Sequence, residues 1–198
     1  MTYGQISALA GDFYGTWDPI SDGKDEEECS KRFQAAYDTL AKDSSRQPKE
    51  ANSILEVVSG EISAVNRATR LGFNPSVAYS TLIDLNPNLW LTTSDRPKNF
   101  PNFVQLAEIN WDHFGEDAVK AYKTGHASAI RKAVSQDLEA AYAMNAFTDH
   151  FLQDLFAAGH LRTPRRRLSG SSTANYCAKV RADLPFCQCA ESLLPVYA

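Results

Sequence analysis

From residue 25 to about residue 42, the apolar residues Phe33, Ala36, Tyr37 and Leu40 recur at intervals of three and four with charges between them. That period predicts an amphipathic helix, and residues 25–28 put acidic groups where a helix N-terminus favours them. Ser21 or Asp22 is the expected cap. Residues 43–48 are expected to break the helix. Ile54, Val57, Val58, Ile62 and Val65 predict a second helix ending near Leu71-Gly72. Asn74-Pro75 opens a short third one, from Ser76 to Leu85. Residues 86–101 contain Pro87, Pro97 and Pro101 and read as a long loop holding Trp90 and Leu91, of the kind that often serves as a lid or binding loop. Helical periodicity returns from Phe103 to about Lys123, with Gly115 as a point of kinking. Gly125-His126 opens a further stretch through Val134. Residues 137–158 form the last strong helix, on Leu138, Ala141, Tyr142, Met144, Phe147, Phe151 and Leu155. No stretch alternates with a period of two. The expected fold is all-α, a single-domain helical bundle over residues 1–168. Ser169-Gly-Ser-Ser-Thr then reads as a linker into an irregular tail, 169–198.

Composition narrows the class without changing that picture. A chain of 198 residues suffices for one domain with its own core. Hydrophobic content of 43% and charged content of 22% are those of an ordinary globular chain. A net charge of -4 gives no general attraction to nucleic acid. No apolar run approaches the ~18 residues of a membrane span. The first residues lack a basic region followed by an apolar one, so no signal peptide is expected and a cytoplasmic or unresolved location follows by default. The cysteines are Cys29, Cys177, Cys187 and Cys189. The one-residue spacing of the last two is tighter than that of a zinc knuckle, and nothing in the pattern requires disulfides.

The candidate chemistry lies in residues 149–160, which hold two of the four histidines. His150 and Asp154 are four apart and share one face of a helix. This is the spacing by which one helix gives two ligands to one ion. His160 stands six residues further on, about 600° around a continuous helix, and so would point away from the pair. Ala157-Ala158-Gly159 offers a helix end, after which His160 can swing back over the last turn. Imidazole and carboxylate together suit zinc. His113, preceded by Asp112, and His126 also lie on predicted helices, and bundle metal sites are built from inward ligands on several helices. Asp12, in a Gly-Asp turn, is a further candidate. The plain alternative is a bundle whose core histidines are merely hydrogen-bonded.

The pattern His150-x-x-x-Asp154-x-x-x-x-x-His160 resembles the signature of the zinc-dependent phospholipase C family, which shares its all-helical fold with single-strand-specific zinc nucleases. The surrounding block from Ala143 to Pro164 is similar to a microbial branch of phospholipase-C-like proteins. So are Ile6-Ser-Ala-Leu-Ala-Gly-Asp-Phe-Tyr-Gly15 and Asn110-Trp-Asp-His-Phe-Gly115. Together the resemblance covers roughly residues 5–167.

The resemblance implies a cluster of zinc ions in a helical bundle. His150 and Asp154 would ligate one ion and His160 another. His113 would be the upstream histidine ligand, and Asp12 a ligand on the block match alone. His126 has no counterpart. The implied reaction is hydrolysis of a phospholipid or related phosphodiester by metal-activated water, with Asp112 or Asp149 as base or orienting carboxylate. A polyanionic nucleic acid is the less expected substrate at this net charge. Arg162, Arg165, Arg166 and Arg167 read either as a solvated basic segment or as a phosphate clamp. Family members continue with a further helix carrying His and acidic or Asn ligands, whereas no histidine follows His160 here. One metal position is therefore expected to be incomplete. A catalytically impaired relative, acting as a helical scaffold or interaction protein, is the alternative.

Overall fold

The chain opens with α1 (Tyr3–Leu9), fixed at its start by a reciprocal capping box. The Thr2 hydroxyl accepts from the Gln5 amide, and the Gln5 side chain accepts from the Thr2 N–H. The structure is a computed structural model that describes residues 1–46, 48–80, 93, 96, 97 and 100–169. A short 3₁₀ turn, η1 (Ile20–Asp22), leads to α2 (Glu26–Arg46). The cap of α2 is Asp25, whose carboxylate accepts the Glu28 amide at 2.8 Å, and not Ser21 or Asp22 as expected. The helix also runs past residue 42, because residues 43–46 hold neither glycine nor proline to stop it. α3 (Pro48–Arg70) starts on a proline, the residue whose missing N–H costs nothing at a first helical position. The expected break over 43–48 is thus not seen at 43–46 or 48, which are helical, and residue 47 lies outside the described residues. α4 (Pro75–Ser80) follows, with the Asn74 side chain accepting the Ser76 amide. Residues 81–85 of the expected third helix, most of the expected 86–101 loop with Trp90 and Leu91, and the tail from residue 170 with its three cysteines lie outside the described residues.

The stretch from Phe103 to Lys123 is not one helix. It divides into α5 (Phe103–Glu108), a 3₁₀ turn η2 (Asn110–His113) and α6 (Gly115–Val134). The cause is tertiary. Asp112 is drawn into the interior, where its carboxylate accepts the backbone amides of Ile20 and Ser21 at 2.5 and 2.9 Å. Gly115, at φ +51°, then supplies the left-handed backbone from which α6 departs. Gly125 does not open a helix either; it lies inside α6. A Cβ there would strike the side chain of Thr148 and stand 2.5 Å from the Phe33 ring. Glycine at this position sets how closely α6 approaches the next helix. Gly125→Ala is expected to lower unfolding free energy by about 1–3 kcal/mol, read from urea denaturation.

α7 (Leu138–Asp154) returns antiparallel to α6 after a tight turn in which Gln136 takes φ 62°. Asp137 caps it by accepting the Ala140 amide. These two helices form the most extensive pair among the described residues; α1 lies on α7, and α2 lies on α6. The core where they meet is aromatic. The Phe147 ring packs edge-on against Phe33 and Tyr37, with centroids 6.0 and 5.9 Å away, and touches Phe151 at 6.3 Å. Leu9, Phe33, Ile54 and Phe147 are fully buried. α7 ends at Asp154, earlier than the predicted 158. Two short helices complete the described chain, α8 (Ala158–Arg162) and α9 (Arg165–Ser169). The fold is all-α, with no strand among the described residues beyond an isolated bridge from Ala10 to Tyr14. No described helix is long and apolar enough to cross a membrane. Cys29 is buried and unpaired.

Candidate metal centre

The α6–α7 hairpin determines where the histidines meet. In an antiparallel pair joined by a short turn, the start of the first helix lies beside the end of the second. η2 holds His113 just ahead of α6, and the last turn of α7 carries His150 and Asp154. α1 packs across this end, so the loop after it delivers Gly11 and Asp12 to the same place. The side chains converge there. His113 Nδ1 donates to Asp154 Oδ2 at 2.7 Å and lies 3.1 Å from His150 Nε2. His150 Nε2 is 3.6 Å from Asp154 Oδ2 and 3.8 Å from Asp12 Oδ2. Asp12, His113 and His150 each place a ligand atom within 4.8 Å of the others. His160 joins from outside, its Nε2 at 3.8 Å from Asp154 Oδ1 and its ring stacked on Phe114. The swing-back expected of His160 is present, but the helix stops at Asp154, and Gly159 lies inside α8.

The donor set fits a metal ion. His150 Nδ1 donates to the Ser7 carbonyl at 3.0 Å, which places the ring proton on Nδ1 and turns the Nε2 lone pair into the cluster. Burial pushes the His150 pKa down, and the neighbouring His113 adds to this, so the ring is held neutral. Burial also opposes charge on His113, but the Asp154 hydrogen bond and the Asp12 and Asp154 carboxylates outweigh it and raise its pKa. Burial acts to raise the Asp154 pKa. The hydrogen bond from His113 and the electrostatic influence of the surrounding imidazoles reverse that and leave it below the usual carboxylate range. Asp154 is thus the charged hub between the three imidazoles. Two imidazoles with two carboxylates make a set suited to zinc.

Gly11 completes the enclosure. At φ +68° its backbone runs against both rings, and a Cβ there would lie 2.6 Å from His113 Cε1 and 2.9 Å from His150 Cδ2. Gly11→Ala is expected to cost about 1–2 kcal/mol for the left-handed backbone alone. It should also weaken zinc affinity by displacing the two rings, measured by competition with a chromophoric chelator. Exposure rises from one end of the cluster to the other. The side chains of His113 and His150 are 4% and 11% exposed, while those of His160 and Asp12 are 35% and 46% exposed. The inner end is closed by Phe151, whose ring lies edge-on to both imidazoles. The outer end, at Asp12 and His160, is the mouth.

The other candidates are placed elsewhere. Asp112 neighbours the cluster in sequence, but both its oxygens are committed to the Ile20 and Ser21 amides. Burial raises its pKa against those hydrogen bonds. Asp149 points off another face of α7, accepting from the Tyr3 hydroxyl at 2.5 Å and from Asn145. His126 is also outside the cluster; its Nδ1 donates to Asn145 Oδ1 and its ring stacks on Tyr122. Among the arginines, Arg165 bonds Asn110 and the Ala107 carbonyl. Arg166 pairs with Asp117 and Asp22 and lies over the Trp111 ring. These two fasten α9 onto η2 and α6 and are neither a solvated segment nor a phosphate clamp.

No family model, curated protein or solved structure matches this chain.

Reading by residue type passed over Ser7 and Gly11, which act through a backbone carbonyl and a missing side chain. The Gly-Asp turn was a visible signal for Gly11. Nothing local marks Ser7.

Proposed function

We propose that the chain is a zinc-dependent phosphoester hydrolase of phospholipase C type, acting on a phospholipid or related phosphodiester. The observation that carries this reading is the convergence of Asp12, His113, His150 and Asp154, with His160 at the mouth. These are the residues that the resemblance to that family assigns as ligands. Bound zinc would supply Lewis acidity toward a phosphoryl oxygen and a water of lowered pKa. The chain's own residues prepare the site. The Ser7 carbonyl holds the His150 tautomer, and Asp154 orients His113. Phe151 keeps the inner end dry. Asp12 and His160 face the side from which a substrate can approach.

Asp112 and Asp149 are not assigned a proton-transfer role: both oxygens of Asp112 accept backbone amides, and Asp149 faces Tyr3 and Asn145 on another face of α7. This favours a second reading, a helical scaffold that retains the metal cluster without turnover. Hydrolysis of a chromogenic phosphocholine ester by the zinc-loaded protein separates the two. The enzyme reading expects turnover that disappears in His150→Ala and persists in His126→Ala. Bound zinc with no turnover on that ester or on single-stranded DNA would leave the scaffold.

A further inference from the structure

A second concavity lies away from the histidines, between α2 and the C-terminal part of α6, over the buried side chain of Met144. Its volume is about 410 Å³, within the range of small-molecule sites. Ser30 and Lys31 form one wall; Ser128, Arg131 and Lys132 form the other. Three cations against one carboxylate, Glu27, make this a positive hollow on a chain of net charge -4.

Arg131 is organised for a ligand. One guanidinium nitrogen, Nη2, donates to both Ser128 Oγ at 2.7 Å and Ser30 Oγ at 3.1 Å. Ser128 is itself buried and anchored by donating to the Thr124 carbonyl. Neither Arg131 nor Lys132 has a carboxylate partner among the described residues. The remaining guanidinium donors of Arg131 are left for an oxyanion, in the planar fork that matches phosphate. The Lys31–Glu27 pair is exposed and weak, so Lys31 is free to turn toward a bound anion. Placement in the last turn of α6 accounts for the charges of Arg131 and Lys132, since cations favour a helix C-terminus. It does not account for the hollow beside them or for two serines on separate helices holding one guanidinium nitrogen.

We propose that this groove between α2 and α6 binds a small phosphorylated molecule. Arg131 and Lys132 take the phosphate, and the organic part lies over Met144. The inference stands apart from the metal centre and survives its failure.

The test is a titration of zinc-loaded protein with glycerol phosphate at constant ionic strength, followed by backbone amide NMR shifts. Saturable shifts are expected at Ser30, Ser128, Arg131 and Lys132. Arg131→Ala should weaken binding on the order of tenfold, the loss of a charged hydrogen-bonding partner. Glu27→Gln, which removes the carboxylate in the lining, should strengthen it. If Arg131→Ala fails to fold, Lys132→Gln is the substitute and should also weaken binding. Three results would each overturn the assignment: shifts confined to the neighbourhood of His113, His150 and His160; a linear drift reproduced by sodium chloride; or an affinity unchanged in the Arg131 or Lys132 variant.

Discussion

Chelation of the zinc-loaded protein should lower its thermal midpoint by about 8–16 °C. The magnitude follows from linkage. An ion that binds only the folded chain, at a free concentration a thousand times its dissociation constant, adds ~4 kcal/mol. In a chain of this size each kcal/mol moves the midpoint by about 2–4 °C. The ligands come from the α1 loop, from η2 and from α7, so the ion would tie the N-terminal segment to the end of the hairpin. His150→Ala should melt lower and ignore the chelator. His126→Ala, altered outside the cluster, should respond as the unmodified protein does. The measurement is a scan by circular dichroism with and without chelator.

The second large effect is expected at a buried ion pair remote from the histidines. Arg96 and Glu50 have side chains only 9% and 8% exposed and meet at 2.7 Å. Arg96 also donates to the Pro101 carbonyl, and its guanidinium lies 4.8 Å from the centroid of the Tyr14 ring. The Tyr14 hydroxyl donates to Glu50 at 2.9 Å. Burial and the Glu50 charge raise the Tyr14 pKa, so the hydroxyl keeps its proton and the donation persists. Arg96→Ala leaves Glu50 buried without its countercharge. The expected cost is about 3–5 kcal/mol, the usual penalty for breaking such a pair from one side. Replacing both partners by apolar residues of similar volume should cost much less. Urea denaturation of the two single variants and the double variant gives the comparison. Tyr14 closes the loop that carries Gly11 and Asp12, so Arg96→Ala should also weaken zinc binding.

What the sequence made legible was local. The three-and-four spacing of Phe33, Ala36, Tyr37 and Leu40 marks α2 because helix periodicity survives any tertiary context. His150 and Asp154 share a face because they are one turn apart. The points that local pattern mislaid are those decided by distant partners. The helix expected across His113 is broken because Asp112 satisfies the amides of Ile20 and Ser21, some ninety residues earlier in the chain. Gly125 reads as a helix opening, yet it is the contact that lets α6 close on Thr148 and Phe33. Asp149 has the residue type of a catalytic base and sits next to a proposed ligand histidine, but adjacent positions on a helix point about 100° apart. It faces Tyr3 instead. Arg165 and Arg166 look like a free basic run until their partners on η1, η2 and α6 are known.

The central claim is that Asp12, His113, His150 and Asp154 hold zinc. Metal content of the purified chain, measured by inductively coupled plasma mass spectrometry after zinc loading and desalting, tests it directly. The expected result is at least one zinc per chain, falling to background in His150→Ala and Asp154→Ala and retained in His126→Ala. A chain that emerges free of metal, or a His150→Ala variant that keeps its full zinc content, would contradict it.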